Sequence, residues 1–553
     1  MRSLKITMKP INLKVKSHLL LVSTSFWSLL WVSCNSPEVA RPNILLIMTD
    51  QQPVSCVGAY GNTQIKTPNL DYLADEGHLF NNFYIAAFPC SPSRATILSG
   101  RYLLHHNVWT NNVQMDSTIP TMGMILAQAG YRTGYFGKAH LSGSMYVGRS
   151  GGDGIDYLHP PGGPLDPLGD NIRDYWHYKR IETDSGWALQ RFEGGSGEDQ
   201  AQLGFETWNG GWRNYKDWLL QEGKGDFARV AGNHDDFQSA PEGEHMYSQL
   251  GEEYHMAKFF TDKVNSFIQQ KSQQPWAAVL SYFGPHLPVA PPRPWDTVFA
   301  IEDIQLPGNF SDDLEDKPLK QYQISSGYFQ QTWTDHQFKD YIRRYWGYCG
   351  YIDAQIGRVF SLLKQLGQWD NTMVIFTSDH GDMLAGHGMI FKLGMNGYEE
   401  LFRVPAIFKL PNHPEKGRQS EALTSSIDIL PTILHTAHVD LPDGIDGKNL
   451  VPLFDNFDKH FREYIFSEIH STGTDGKTIM CRNNQFKFVY HWLSQDVDEL
   501  YDLVVDPGEL NNLIRDTAHT KTRQLMQEAI YHWVDDTGHR YADLIKRKGS
   551  KNR

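Results

Sequence analysis

Asn43-Ile44-Leu45-Leu46-Ile47-Met48-Thr49-Asp50-Gln51 is a continuous apolar run that ends in polar groups. Such a run reads as a strand buried on both faces, as in a parallel sheet covered by helices, and it predicts an α/β fold. Ligands in these sheets bind beyond the carboxyl ends of the strands, which makes Asp50 and Gln51 candidate site residues rather than ordinary turn residues. A second run, Met373-Val374-Ile375-Phe376-Thr377, ends in Ser378-Asp379-His380-Gly381-Asp382. Two strands thus bring carboxylate, amide and imidazole donors to one edge: Asp50 and Gln51 from the first, Asp379 and His380 from the second. This set could hold a divalent cation. The oxygens suit a hard ion such as calcium, and the imidazole would also suit a softer one.

Other elements surround these two strands. Thr67-Pro68 opens a helix that turns Leu70, Leu73 and Ala74 inward and stops at Gly77. Leu79 to Ile85 reads as a strand, and Thr121 to Ala129, Glu253 to Gln269 and Lys339 to Leu366 read as helices. In Gly134-Tyr135-Phe136-Gly137-Lys138-Ala139-His140-Leu141, strand alternation puts Lys138 and His140 on one face. Trp276 to Phe283 is a further strand, and it runs into the proline-fixed Gly284-Pro285-His286-Leu287-Pro288. Residues 142–250, dense in Gly and Pro, read as long excursions rather than sheet. Beyond Asn456 the pattern changes to strands, with a closing helix near Thr522 to Val534 and a basic tail expected to be mobile.

Cys90-Ser91-Pro92-Ser93-Arg94 opens a helix that runs to Gly100, with Pro92 suited to its first turn and Ser91 able to cap it. Cys90 therefore stands at the positive end of a helix, with Arg94 one turn inside, in surroundings that make a thiol reactive.

Cysteine, any residue, proline, any residue, arginine is similar to the type I sulfatase signature, and Ala95-Thr96-Ile97-Leu98-Ser99-Gly100-Arg101-Tyr102 continues the resemblance. The likeness extends over most of residues 41–515. It implies the alkaline-phosphatase-like fold: an α/β/α sandwich with a large mixed, mostly parallel central sheet, and a small C-terminal α+β subdomain with an antiparallel sheet. It also implies that a maturation enzyme oxidises Cys90 to formylglycine (3-oxoalanine), and that Asp50, Gln51, Asp379 and His380 hold one calcium ion together with the modified Cys90. Arg94 and Lys138 would steady the aldehyde hydrate, His286 and Lys392 would hold the sulfate, and His140 would take a proton from the hydrate. The family usually has tryptophan between the lysine and histidine, where this chain has Ala139. The implied activity is removal of sulfate from a sulfated carbohydrate, such as an algal polysaccharide of the ulvan or carrageenan type or a glycosaminoglycan. Phosphonate or phosphate diester hydrolysis and non-catalytic glycan capture by a surface lipoprotein are the alternatives.

The 553 residues, 40% hydrophobic and 12% aromatic, suffice for a large core. The formal charge of -13 argues against a nucleic-acid partner, so an anionic substrate must meet a local cluster of positive residues. Five cysteines in so long a chain form no disulfide framework. Residues 1–34 read as an export signal: lysines 5, 9, 14 and 16 precede an apolar stretch from Leu19 to Trp31 that is too short to span a bilayer comfortably. Val32-Ser33-Cys34-Asn35 resembles a lipoprotein cleavage site, and lipidation of Cys34 would attach the chain to a membrane. The expected organisation is a signal at 1–34, a catalytic domain at 41–455 carrying a variable insertion at 142–250, and a C-terminal subdomain at 456–553. The expected location is the periplasm or cell surface.

Overall fold

The computed structural model describes residues 41–111, 113, 115–141, 178–183, 186–191, 203–224, 248, 250–392, 396–456, 459–470, 477–493 and 496–551. The export segment, Cys34 and most of 142–250 lie outside the described residues.

Among the described residues eight strands form the central sheet, in the spatial order Arg418–Ser420, His78–Phe80, Ala406–Lys409, Thr372–Ser378, Asn43–Asp50, Trp276–Pro285, Arg132–Gly137, Thr207–Gly210. Asn43–Asp50 lies at the middle, parallel to both neighbours, and only Ala406–Lys409 runs antiparallel to the strands beside it. Alternation along the central strand divides its side chains between two cores. Ile44, Leu46 and Met48 join one buried cluster, and Leu45 and Ile47 join the other. The second core includes one face of the long helix Asp335–Gln365, whose N-terminus is fixed by a capping box between Thr334 and Gln337. This is the expected sandwich, with the sheet buried on both sides.

A five-stranded sheet follows, in the order Glu499–Asp502, Phe486–Tyr490, Lys477–Arg482, Ile465–His470, Ala87–Phe88. Its first four strands are antiparallel. The fifth comes from the N-terminal part of the chain and runs parallel to Ile465–His470, with Glu468 opposite Ala87. The C-terminal sheet is therefore hydrogen-bonded to the segment that leads into Cys90. Helix Thr520–Asp536 covers this sheet with Met526, Ile530, Trp533 and Val534.

Three local expectations are corrected. The stretch 142–250 is not excursion alone, because Thr207–Gly210 is the edge strand of the central sheet and Gly211–Gln221 is a helix. A four-residue edge strand lacks the apolar run by which a buried strand is read. Leu79 to Ile85 is two strands, His78–Phe80 and Phe83–Tyr84, separated at Asn81-Asn82, whose side chains bond to Gln419 and Glu421. The basic tail forms helix Ala542–Lys551, anchored by buried Ile545, whose carbonyl accepts from the Tyr490 hydroxyl at 2.7 Å. One apolar anchor among basic residues gives little pattern to read.

Candidate active site

Helix Cys90–Ser99 starts at the cysteine itself, with Pro89 at its N-cap, and every residue of it is buried. Ser91 does not cap it. Being already inside the first turn, Ser91 donates its hydroxyl to the His140 carbonyl at 2.6 Å. The orphan Ser91 N–H is satisfied from outside the helix by Asn111 Oδ1, at 2.9 Å.

Arg94 reaches residues in or just past four strands. Its Nε donates to Asp379 Oδ2 at 2.7 Å, its Nη1 donates to the Ser281 hydroxyl at 2.7 Å and the Lys138 carbonyl at 2.5 Å, and its Nη2 stands 3.8 Å from Asp50 Oδ2. That buried Nη2 has no hydrogen-bond partner among the described residues.

Lys138 and His140 lie just past their strand, which ends at Gly137, so strand alternation is not what brings them together. Gly137 has φ 110, and a Cβ there would meet the Ser281 carbonyl oxygen at 1.8 Å. This glycine allows the close approach in which Lys138 N–H donates to that oxygen at 2.9 Å. Lys138 Nζ pairs with Asp50 Oδ2. His140, at φ 60, is held below its ordinary pKa by burial and then by the Lys138 charge, with the Cys90 thiol opposing them.

On the far side, Lys392 Nζ is 3.1 Å from Cys90 Sγ, 3.0 Å from His286 Nε2, 3.3 Å from His380 Nε2 and 3.3 Å from Gln51 Oε1. His286 Nδ1 donates to the Leu287 carbonyl at 2.7 Å, leaving Nε2 as the acceptor toward Lys392. Burial, then the neighbouring Lys392 charge, push the His286 pKa down to about 4. Burial pushes the Cys90 thiol up, but Lys392, Lys138 and His380 outweigh it and hold the group well below the usual thiol range.

The donor set fits a cation. One ligand atom from each of Asp50, Cys90, Asp379 and His380 lies within 4.8 Å of the others, and all four residues are buried. His380 Nδ1 donates to the Gly381 carbonyl at 2.8 Å, the arrangement that turns the Nε2 lone pair toward a metal. Burial raises both carboxyls. Lys138 nevertheless holds Asp50 well below its ordinary range, whereas Asp379 stays above its own despite Arg94, with the Asp50 charge beside it. Two crowded, fully buried carboxylates with more oxygen than the side-chain cations satisfy are suited to a hard ion.

All ten described candidates, Asp50, Gln51, Cys90, Arg94, Lys138, His140, His286, Asp379, His380 and Lys392, therefore meet around position 90. Sequence reasoning missed three supporting residues: Asn111, Ser281 and Asp382. Ser281 left one signal, a hydroxyl interrupting the apolar strand Trp276–Pro285.

A family model described as Sulfatase matches residues 42–177 and 200–439. This chain belongs to the sulfatase family. A second model, N-sulphoglucosamine sulphohydrolase, C-terminal, matches residues 386–535 of this sulfatase. The chain is 30% identical over 502 residues to the uncharacterised sulfatase YidJ of Escherichia coli, covering 90% of this chain and 87% of that one. It is 26% identical over 545 residues to an N-acetylglucosamine-6-O-sulfatase of Bacteroides thetaiotaomicron, covering 92% and 89%. Its fold is similar to that of a phosphonate monoester hydrolase of Agrobacterium radiobacter, with TM-score 0.70, 25% identity, and coverage of 90% and 96%. The sulfatase is thus an enzyme of mixed α/β fold that hydrolyses sulfuric esters.

Proposed function

We propose that this enzyme removes sulfate from a sulfated carbohydrate, using formylglycine made from Cys90 and one calcium ion held by Asp50, Gln51, Asp379 and His380. The supporting observation is the ring of positive groups, Arg94, Lys138 and Lys392, around position 90 in a chain of net charge -13. Similarity to a sulfatase named for N-acetylglucosamine 6-O-sulfate supports a saccharide substrate.

A cation held by Asp50, Gln51, Asp379 and His380 would lower the pKa of a formylglycine hydroxyl at position 90, so that its deprotonated form would be available as the nucleophile at sulfur. Arg94 keeps a buried, unpartnered Nη2 3.8 Å from Asp50 Oδ2, and Lys138 offsets the charge of Asp50. Lys392 and His286 receive the sulfate oxygens. Burial and the Lys392 charge keep His286 neutral, so it takes up its proton with the anionic substrate and gives it to the departing sugar oxygen. His140, which burial and the Lys138 charge keep neutral, takes the proton that frees the sulfate afterwards. Export through residues 1–34, with lipidation at Cys34, would place the enzyme where polysaccharides are met.

The test is turnover of a panel of defined sulfated oligosaccharides with linkage analysis of the products, beside a phosphonate monoester, and peptide mass mapping of residue 90. Release of sulfate from specific sugar positions by protein carrying formylglycine is expected. Turnover of small aryl sulfates alone would overturn the saccharide reading. Faster phosphonate cleavage would favour the reaction named for the Agrobacterium neighbour.

A further inference from the structure

Gln51 must present its carbonyl oxygen, not its NH2, for the calcium reading above to hold, and an amide alone has no preference between the two orientations. We propose that Asp382 is the positioning residue that sets this orientation and couples it to the Lys392 loop. The Asp382 carboxylate accepts four hydrogen bonds. Its Oδ2 takes Gln51 Nε2 at 2.6 Å and the Tyr341 hydroxyl at 2.8 Å, and its Oδ1 takes the backbone N–H of Leu384 at 2.8 Å and of Phe391 at 3.0 Å.

Four donors fill the four lone-pair sites of an ionised carboxylate. A carboxylate can only accept, so turning the Gln51 amide over would set oxygen against oxygen at hydrogen-bond distance in a fully buried place. Gln51 Nε2 therefore stays on Asp382, and Oε1 faces the other way, where Lys392 Nζ lies 3.3 Å off. The Gln51 backbone is fixed independently: its N–H donates to Asp379 Oδ1 at 3.0 Å, its carbonyl accepts from the Tyr345 hydroxyl, and its φ is 74. The amide plane is the freedom that remains, and Asp382 removes it. Phe391, whose N–H ends on the same carboxylate, immediately precedes Lys392, so one side chain holds both a cation ligand and the loop carrying a sulfate-binding lysine in register.

The inference rests on the calcium reading, and the experiment separates the two. Purified protein stripped with chelator is titrated calorimetrically with Ca²⁺, comparing wild type, Asp50→Asn, Asp382→Asn, Gln51→Ala, the pair Gln51→Ala/Asp382→Asn, and the pair Gln51→Glu/Asp382→Asn. Asparagine can donate, so Asp382→Asn lets Gln51 turn its NH2 to the ion, and Ca²⁺ affinity should fall about 10- to 100-fold. In the Gln51→Ala background the same change should cost nearly nothing. Glutamate at 51 accepts from the asparagine amide that replaces Asp382 and still offers an oxygen, so the Gln51→Glu/Asp382→Asn pair should recover most of the affinity. Unchanged affinity in Asp382→Asn, or an equal loss without Gln51, overturns the positioning role while leaving calcium in place. Wild type that binds no Ca²⁺, or Asp50→Asn that binds as wild type does, overturns the calcium reading itself. If Asp382→Asn fails to fold, the Ca²⁺-loaded crystal structure of wild type decides. Gln51 Oε1 about 2.4 Å from the ion with Nε2 on Asp382 supports the role, and an amide turned away from either overturns it.

Discussion

Lys392 Nζ stands 3.0 Å from His286 Nε2, and that nitrogen is the unprotonated one because Nδ1 is committed to the Leu287 carbonyl. An ammonium and a neutral imidazole share one site that an anion can enter between them. Removing the imidazole should matter in proportion to how poorly the leaving oxygen carries charge. His286→Ala is expected to lower kcat/KM for a sugar sulfate about 10²- to 10⁴-fold, and for a nitrophenyl sulfate far less. Steady-state kinetics on the two substrates check it; equal losses would take the proton-donor role away from His286.

Calcium removal should act on stability as well as on rate. Asp50 and Asp379 are both fully buried at the end of adjacent strands, and each is paired only in part, by Lys138 and Arg94. An ion that binds the native state alone adds about 2.7 kcal/mol at a hundred times its dissociation constant. The melting temperature is expected to fall on chelation, recover with Ca²⁺, and lose that response in Asp50→Asn. Thermal melts with and without Ca²⁺ check it.

The strand ends were legible because burial leaves a continuous mark: Ile44 to Met48 and Met373 to Phe376 could only be interior, and the polar residues that followed them had to emerge at one edge. Cys90 and Arg94 were legible by their spacing. What supports them was not. Asn111 and Asp382 act across the fold on Ser91 and Gln51, and no local period links such pairs. The pairing of Ala87 with Glu468 joins positions 381 residues apart, as no propensity along the chain could indicate. Strand alternation does not account for Lys138 and His140, because both follow the strand's end at Gly137, where that glycine at φ 110 and His140 at φ 60 redirect the chain.

Lys487 tests how firmly the C-terminal sheet is joined to the catalytic part. Its ammonium is fully buried, 3.2 Å from Glu399 and in contact with Glu509, whose Oε2 in turn accepts the Glu399 N–H at 2.8 Å. Lys487→Met would take the shared cation away from buried Glu509 and partly buried Glu399, at a cost of about 3–5 kcal/mol. Denaturant unfolding should show that loss. A Lys487→Met/Glu399→Gln double variant should be less destabilised than the sum of the single changes.

Acid stability should depend on buried histidines that serve as acceptors. His255 stands at the N-cap of helix Met256–Ile268, where its Nδ1 accepts the Ala257 N–H at 3.1 Å, and burial pushes its pKa down to about 3. His106 is similar, with Nδ1 accepting from Val108 N–H at 3.1 Å and its pKa also pushed by burial to about 3. An unfolded histidine titrates near 6.5, so between that pH and the folded value the unfolded chain binds a proton that the folded chain refuses. Stability must then fall as pH drops below about 6.5, by up to about 1.4 kcal/mol per pH unit for each such histidine. His255→Asn keeps an acceptor at the cap and removes the proton. Because the edge-on contacts of His255 with Tyr348 and Tyr351 are lost, the variant should begin less stable at pH 7.5. It should then lose less than wild type on acidification to pH 5, above the range where most carboxylates titrate. Denaturant midpoints at a series of pH values check the slope, and parallel slopes for the two proteins would show that His255 is already protonated in the folded state.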